Sequence, residues 1–140
     1  MERKSGEIVN FHDPTDNTLT FDVLYLECQG MAKDKKELLQ GTLDLLVMRI
    51  LRSGARHGYD IVKRIQILSN DAIHVGEGSL YPSLHRLEKR GYIEAKWDIS
   101  ETGRRAKFYS LTVDGKRKVS EEESNWVEFT SAVNLILKNA

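Results

Sequence analysis

Along the middle of the chain, apolar residues recur first at helical spacing, then at strand spacing, then at helical spacing again. Leu39, Leu43, Leu46 and Ile50 fall at i, i+4, i+7 and i+11, which predicts a helix from about Asp34 to Arg52 with one core-facing stripe. Leu38, Leu45 and Val47 widen that stripe, so much of this helix is expected to be buried. Asp34 and Glu37 have the spacing of a capping pair, and Gly54 supplies a stop. A second helix is predicted from about Tyr59 to Leu68, with Ile61, Ile65 and Leu68 on one side. A third runs through "SLYPSLHRLEKR", with Ser79 as N-cap and Pro82 in the first turn, where no intrahelical donor is required. Its Leu80, Leu84 and Leu87 face inward, and Gly91 ends it. The opposite side is left with Ser79, Tyr81, Ser83, Arg86 and Arg90, with Pro82 and His85 beside them.

After Gly91 the period shortens to two. Ile93, Ala95, Trp97 and Ile99 alternate with Glu94, Lys96 and Asp98, and "AKFYSLT" places Lys107, Tyr109 and Leu111 on one face. The two runs predict a hairpin with "SETGRR" as its loop and Arg104 and Arg105 at its tip. Trp97 is expected to cover the core from the first strand. The final pattern is a long helix from about Val113 to Lys138 that Thr112 can cap. Trp126, Phe129, Val133 and Ile136 form a coiled-coil-like seam along it, which Val119 extends towards the N-terminus. Three helices, a two-stranded ribbon and a long helix give a mainly α fold with a small β-hairpin. That order is a winged helix-turn-helix over residues 34–111, followed by a long C-terminal helix over residues 112–140 whose seam suits helix-on-helix packing.

Residues 1–33 lack this regularity. "NFHDPTDNT" is rich in turn formers, and the pattern changes abruptly at Met31, so the segment is expected to be a flexible N-terminal extension. Its start lacks the apolar core of a secretory signal, which makes a cytoplasmic location the default. With 40% hydrophobic and 30% charged residues, the chain has the composition of neither a membrane nor a disordered protein.

The formal net charge is zero, yet the charges are segregated. Residues 1–33 hold three Lys/Arg against six acids, whereas residues 49–118 hold fifteen against eight. A local positive excess favours a polyanionic partner more than the whole-chain sum suggests. Catalysis has little support. Cys28 is a lone cysteine, and the four histidines are scattered without metal-ligand spacing. The glycines of "GEG" are not followed by the Lys-Ser/Thr of a phosphate loop. No cofactor or metal is expected.

The strings "LLQGTLDLLVMRIL", "HGYDIV", "GSLYPSLHRLEKRGYI" and "GRRAKFYSLTVDG", in this order and spacing, resemble the PadR family of bacterial transcriptional regulators. The likeness covers about Lys35 to Lys118, and the last helix fits the shorter branch of the family. It implies a homodimer that represses a nearby promoter by binding a pseudo-palindromic operator in double-stranded DNA, and a small aromatic effector that weakens binding. By position it assigns DNA contacts to Ser79, Tyr81, Ser83, Arg86 and Arg90 on the recognition helix and to Gly103, Arg104, Arg105 and Lys107 on the wing. It assigns the dimer interface to Val119, Trp126, Phe129, Val133 and Ile136. Trp126 has two readings, a stacking partner for an aromatic effector or an anchor of the dimer core, and its place on the seam favours the anchor. The competing function is a winged-helix module that binds only protein, which the zero net charge and the acidic "SEEES" block support.

Overall fold

The computed structural model describes Leu39 and residues 41–140. Seven elements follow in order: α1 (Leu43–Leu51), β1 (Arg56–His57), α2 (Gly58–Leu68), α3 (Glu77–Lys89), β2 (Ile93–Ile99), β3 (Arg105–Leu111) and α4 (Val113–Asn139). The fold is mainly α with a small antiparallel sheet, as the periodicities require. The expected N-terminal extension and the Asp34–Glu37 cap lie outside the described residues.

Several details depart from the sequence reading. The first helix does not run unbroken from Asp34, because a turn at Gly41–Thr42 precedes α1, where a glycine and a β-branched residue weaken the helix. The buried stripe of α1 is Leu43, Val47 and Leu51 with Met48, while Leu46 and Ile50 are only partly buried. This segment is apolar on nearly every side, so its period fixed the helix but not the rotation. In α2, Ile61, Val62 and Ile65 enter the core, whereas Leu68 at the helix end is exposed. The hairpin is also not alone. Arg56 and His57 pair with Tyr109 and Phe108, giving a three-stranded sheet in the order β1-β3-β2. Two residues make too short a run to show a strand period. His57 also caps α2, accepting a hydrogen bond from Asp60 N–H at Nδ1.

The core lies where α1, α2 and α3 meet the inner face of the sheet. Leu80, Leu84 and Leu87 of α3 join Val47, Ile61, Val62, Ile93 and Leu111 there. Val119 of α4 is fully buried in the same cluster. Val119 therefore packs into the core of its own chain and does not extend the exposed seam, which corrects its assignment to a dimer interface. Trp97 is likewise not a cover for the core. It is 56% exposed, because β2 projects beyond the helices after Ala95.

A backbone junction ties these parts together. Gly91, with φ of +81°, turns the chain out of α3 and into β2. Its carbonyl accepts a hydrogen bond of 2.6 Å from the Thr112 hydroxyl, and that hydroxyl oxygen in turn caps α4 by accepting from Gly115 N–H at 3.0 Å. Thr112 N–H donates to the Tyr92 carbonyl at 3.1 Å. Gly115 sits directly against that carbonyl, so a Cβ built there would lie 1.9 Å from the Tyr92 oxygen. This glycine, a poor helix former in the first turn of α4, is thus a condition of the helix's docking.

Gly115→Ala tests this junction. In a free helix the substitution would stabilise by up to about 1 kcal/mol. Here it must displace backbone, so a loss of about 3 kcal/mol is expected from overpacking, measured by urea denaturation.

Candidate nucleic-acid interface

Helix α3, expected to be the recognition helix, begins one turn earlier than its cap residue suggested. Gly76 is the N-cap of α3, and its carbonyl accepts from both Ser79 and Leu80 N–H. Ser79 is therefore inside the helix, and Pro82 stands in the second turn. Proline removes the donor that would have met the Gly78 carbonyl, and Gly78 is exposed, so water can serve that oxygen.

The contacts of α3 divide the expected reading residues into three groups. Ser83 is fully buried, which corrects its placement on the exposed side. Its hydroxyl donates to Asp44 Oδ1 of α1 at 2.5 Å. Arg86, on the same ridge, donates to Asp44 through Nη2 at 2.8 Å and Nε at 3.2 Å. Tyr81 lies on the opposite flank, beside Tyr109 of the wing. Burial, with Tyr109 and Glu77 nearby, pushes its hydroxyl up to about 12, so it stays protonated as a donor. The outermost row is Gly78, Pro82, His85 and Lys89, all exposed. Arg90 follows at the helix end and is exposed as well.

Asp44 and Lys89 were missed by sequence reasoning. A signal for the outer row existed, since it lies opposite the Leu80–Leu84–Leu87 stripe on a helix of 3.6 residues per turn. Asp44 carried none, because it reads as the polar side of an amphipathic helix. Its effect is electrostatic. Burial raises the Asp44 carboxyl, but hydrogen bonds from Arg86 and Ser83 and the charges of Arg86 and Arg90 outweigh that and hold it below the ordinary carboxylate range. Arg86 is shifted upward by the same hydrogen bond with Asp44. The pair uses two of the five guanidinium donors, so Arg86 can stay braced by Asp44 and still donate outward.

The wing tip is an ordered turn. Ser100 N–H donates to the Arg104 carbonyl at 2.7 Å, Gly103 N–H donates to the Ser100 carbonyl at 2.8 Å, and Arg104 N–H donates to Ser100 Oγ at 3.3 Å. Gly103 holds φ of +84°, a left-handed conformation that glycine adopts without strain. The turn sets Arg104 and Arg105, both exposed, at the end of the ribbon. Lys107 lies further in, with Nζ 5.9 Å from the centre of the Tyr109 ring. An outward helix row with basic flanks, beside a basic ribbon end, can meet a phosphate backbone and the edges of a groove. Among the described residues, no cluster of His, Cys, Asp or Glu could hold a metal, and no helix is long and apolar enough to cross a membrane.

Residues 47–121 match the transcriptional regulator PadR-like family. A PadR-like transcriptional regulator from Bacillus cereus is 27% identical with a TM-score of 0.65, over 74% of this chain and 99% of that one. A PadR family transcriptional regulator from Eggerthella lenta is 33% identical with a TM-score of 0.62, over 74% of this chain and 88% of that one. An uncharacterized protein from Lysinibacillus sphaericus is 32% identical over 105 residues, which is 74% of this chain and 95% of that protein.

Asp44→Ala is expected to cost about 2–3 kcal/mol at pH 7, because it strips charged hydrogen bonds from Arg86 and leaves the buried Ser83 hydroxyl without its acceptor. The lowered carboxyl fixes the pH dependence. Its stabilisation is complete above the ordinary aspartate value of about 3.9 and fades as pH falls through the lower folded-state value. Urea titrations of both proteins from pH 7 to pH 2 should show the gap closing only at the acid end.

Proposed function

The chain belongs to the PadR-like family of transcriptional regulators, and on that premise we propose that it binds double-stranded DNA as a homodimer and represses a nearby promoter. The observation that carries this reading is the pairing of an outward α3 row, braced from behind by Asp44, with an ordered basic wing tip. Ser79, Tyr81, Arg86 and Arg90 flank the outer row of Pro82, His85 and Lys89, and together they suit a major groove. Gly103, Arg104, Arg105 and Lys107 suit the adjoining backbone. Ser83 acts from behind by anchoring the helix to Asp44, and makes no DNA contact of its own.

The second half of α4 supports the homodimer. Past Glu123 the helix leaves its own domain, and Trp126, Phe129 and Ile136 are 43%, 63% and 64% exposed. With Val133 they form one apolar row that a second copy would cover by helix-on-helix packing. Trp126 opens this row as its largest member, which supports a role as a packing anchor. A two-fold dimer presents two recognition helices, so the operator is expected to be pseudo-palindromic, with half-sites about 34–36 Å apart.

Binding to the DNA upstream of its own gene, measured at several salt concentrations, tests the reading. Arg104→Ala with Arg105→Ala should weaken all sequences alike and flatten the salt slope by about 0.9 for each phosphate that is no longer neutralised. His85→Ala should instead alter the preferred sequence. Unchanged binding in all of these variants would overturn the assignment. For the dimer, Phe129→Asp with Ile136→Asp should sediment as a folded monomer and bind a half-site only weakly. A variant that remains dimeric would move the interface elsewhere.

A further inference from the structure

On the wing, one face of the sheet serves two environments. Residues paired across antiparallel strands share a face, and the register pairs Ile93 with Leu111, Ala95 with Tyr109, Trp97 with Lys107 and Ile99 with Arg105. At the inner end, Ile93, Tyr109 and Leu111 are buried in the core. At the outer end the same face carries Trp97 and Ile99, 56% and 60% exposed. An exposed tryptophan on a short projecting ribbon has no packing reason to be there. Arg105 gives it one. Diagonal to Trp97 on this face, it lays its guanidinium over the indole with Cζ 4.7 Å from the ring centre. Lys107 is held in the same manner against Tyr109, though less closely. The basic side chains behind the tip are thus laid on aromatic rings.

We infer that Trp97 is a positioning residue for DNA binding, fixing the Arg105 guanidinium so that the wing meets the phosphate backbone with its cation already in place. This rests on the DNA-binding reading above. A free arginine side chain must give up rotamer freedom when it binds, and one already stacked on a ring has given up much of it beforehand. The stack leaves the guanidinium edge, with its N–H donors, open to phosphate. Trp97 therefore contributes to affinity without contributing charge.

That separation gives the test, in which operator affinity and its salt dependence are measured for wild type, Trp97→Ala, Trp97→Phe and Arg105→Ala. Trp97→Ala is expected to lose about fivefold in affinity with the salt slope unchanged, since the cation still reaches the polyanion. Trp97→Phe should recover most of that loss. Arg105→Ala should lose affinity and also flatten the slope. In the free protein, Arg105→Ala should move the Trp97 indole N–H resonance and leave that of Trp126 in place. If wild type binds and Trp97→Ala binds equally well, the inference fails while the DNA-binding reading stands. It fails likewise if Trp97→Ala flattens the slope as Arg105→Ala does, or if phenylalanine restores nothing. No binding by wild type at any salt concentration overturns the DNA-binding reading and this inference with it.

Discussion

The outward-facing parts of this protein depend on one close approach, the backbone of Gly115 against the carbonyl of Tyr92. Within a few residues of that point α3 ends, the wing begins and returns, and the long C-terminal helix starts. Thr112 joins all of them by donating from its hydroxyl to Gly91 and from its amide to Tyr92 while accepting from Gly115. A side chain at position 115 would force these segments apart, and the angle between helix, ribbon and long helix would change together. The glycine is kept despite its poor helix propensity because the geometry leaves no room for a Cβ.

Charge supplies a second level of positioning around α1. Asp44 in its first turn grips Arg86 and Ser83 of α3, and Arg49 and Arg52 near its end both meet Glu123 of α4 at 2.9 Å. The first contact is the stronger, because Ser83 is fully buried and the carboxylate is partly shielded from water. The second is more exposed, with the two arginine side chains about half open to solvent, and its value lies in direction more than in energy.

Much of this was legible in the sequence, and the exceptions share a cause. The leucine stripe of α3, the alternation of the hairpin, the Thr112 cap and the long helix all follow from local periodicity, which reports the face an element buries. Periodicity does not report what lies across a gap. Ser83 read as polar and outward, yet it is buried because Asp44, thirty-nine residues earlier, offers it an acceptor. Val119 fitted the seam of α4 and is claimed instead by the core. Trp97 matched the inward alternation, but its strand outruns the helices it was expected to cover. The short strand Arg56–His57 exists only through its partner, β3. Each of these depends on a tertiary neighbour that no local window contains.

Because α1 is held at one end by α3 and at the other by α4, it acts as a strut between α3 and the exposed half of the long helix. Nine residues span only about 13 Å, too short to bend appreciably. Glu123 precedes Trp126 by less than one turn, so this strut is anchored almost at the edge of the apolar row. In a homodimer built on that row, the register in which two α4 helices meet would set the separation of the two recognition helices. A slip of one helical turn, about 5.4 Å, exceeds the rise of one base pair, about 3.4 Å. The length of an operator would then be encoded in a helix that never touches it.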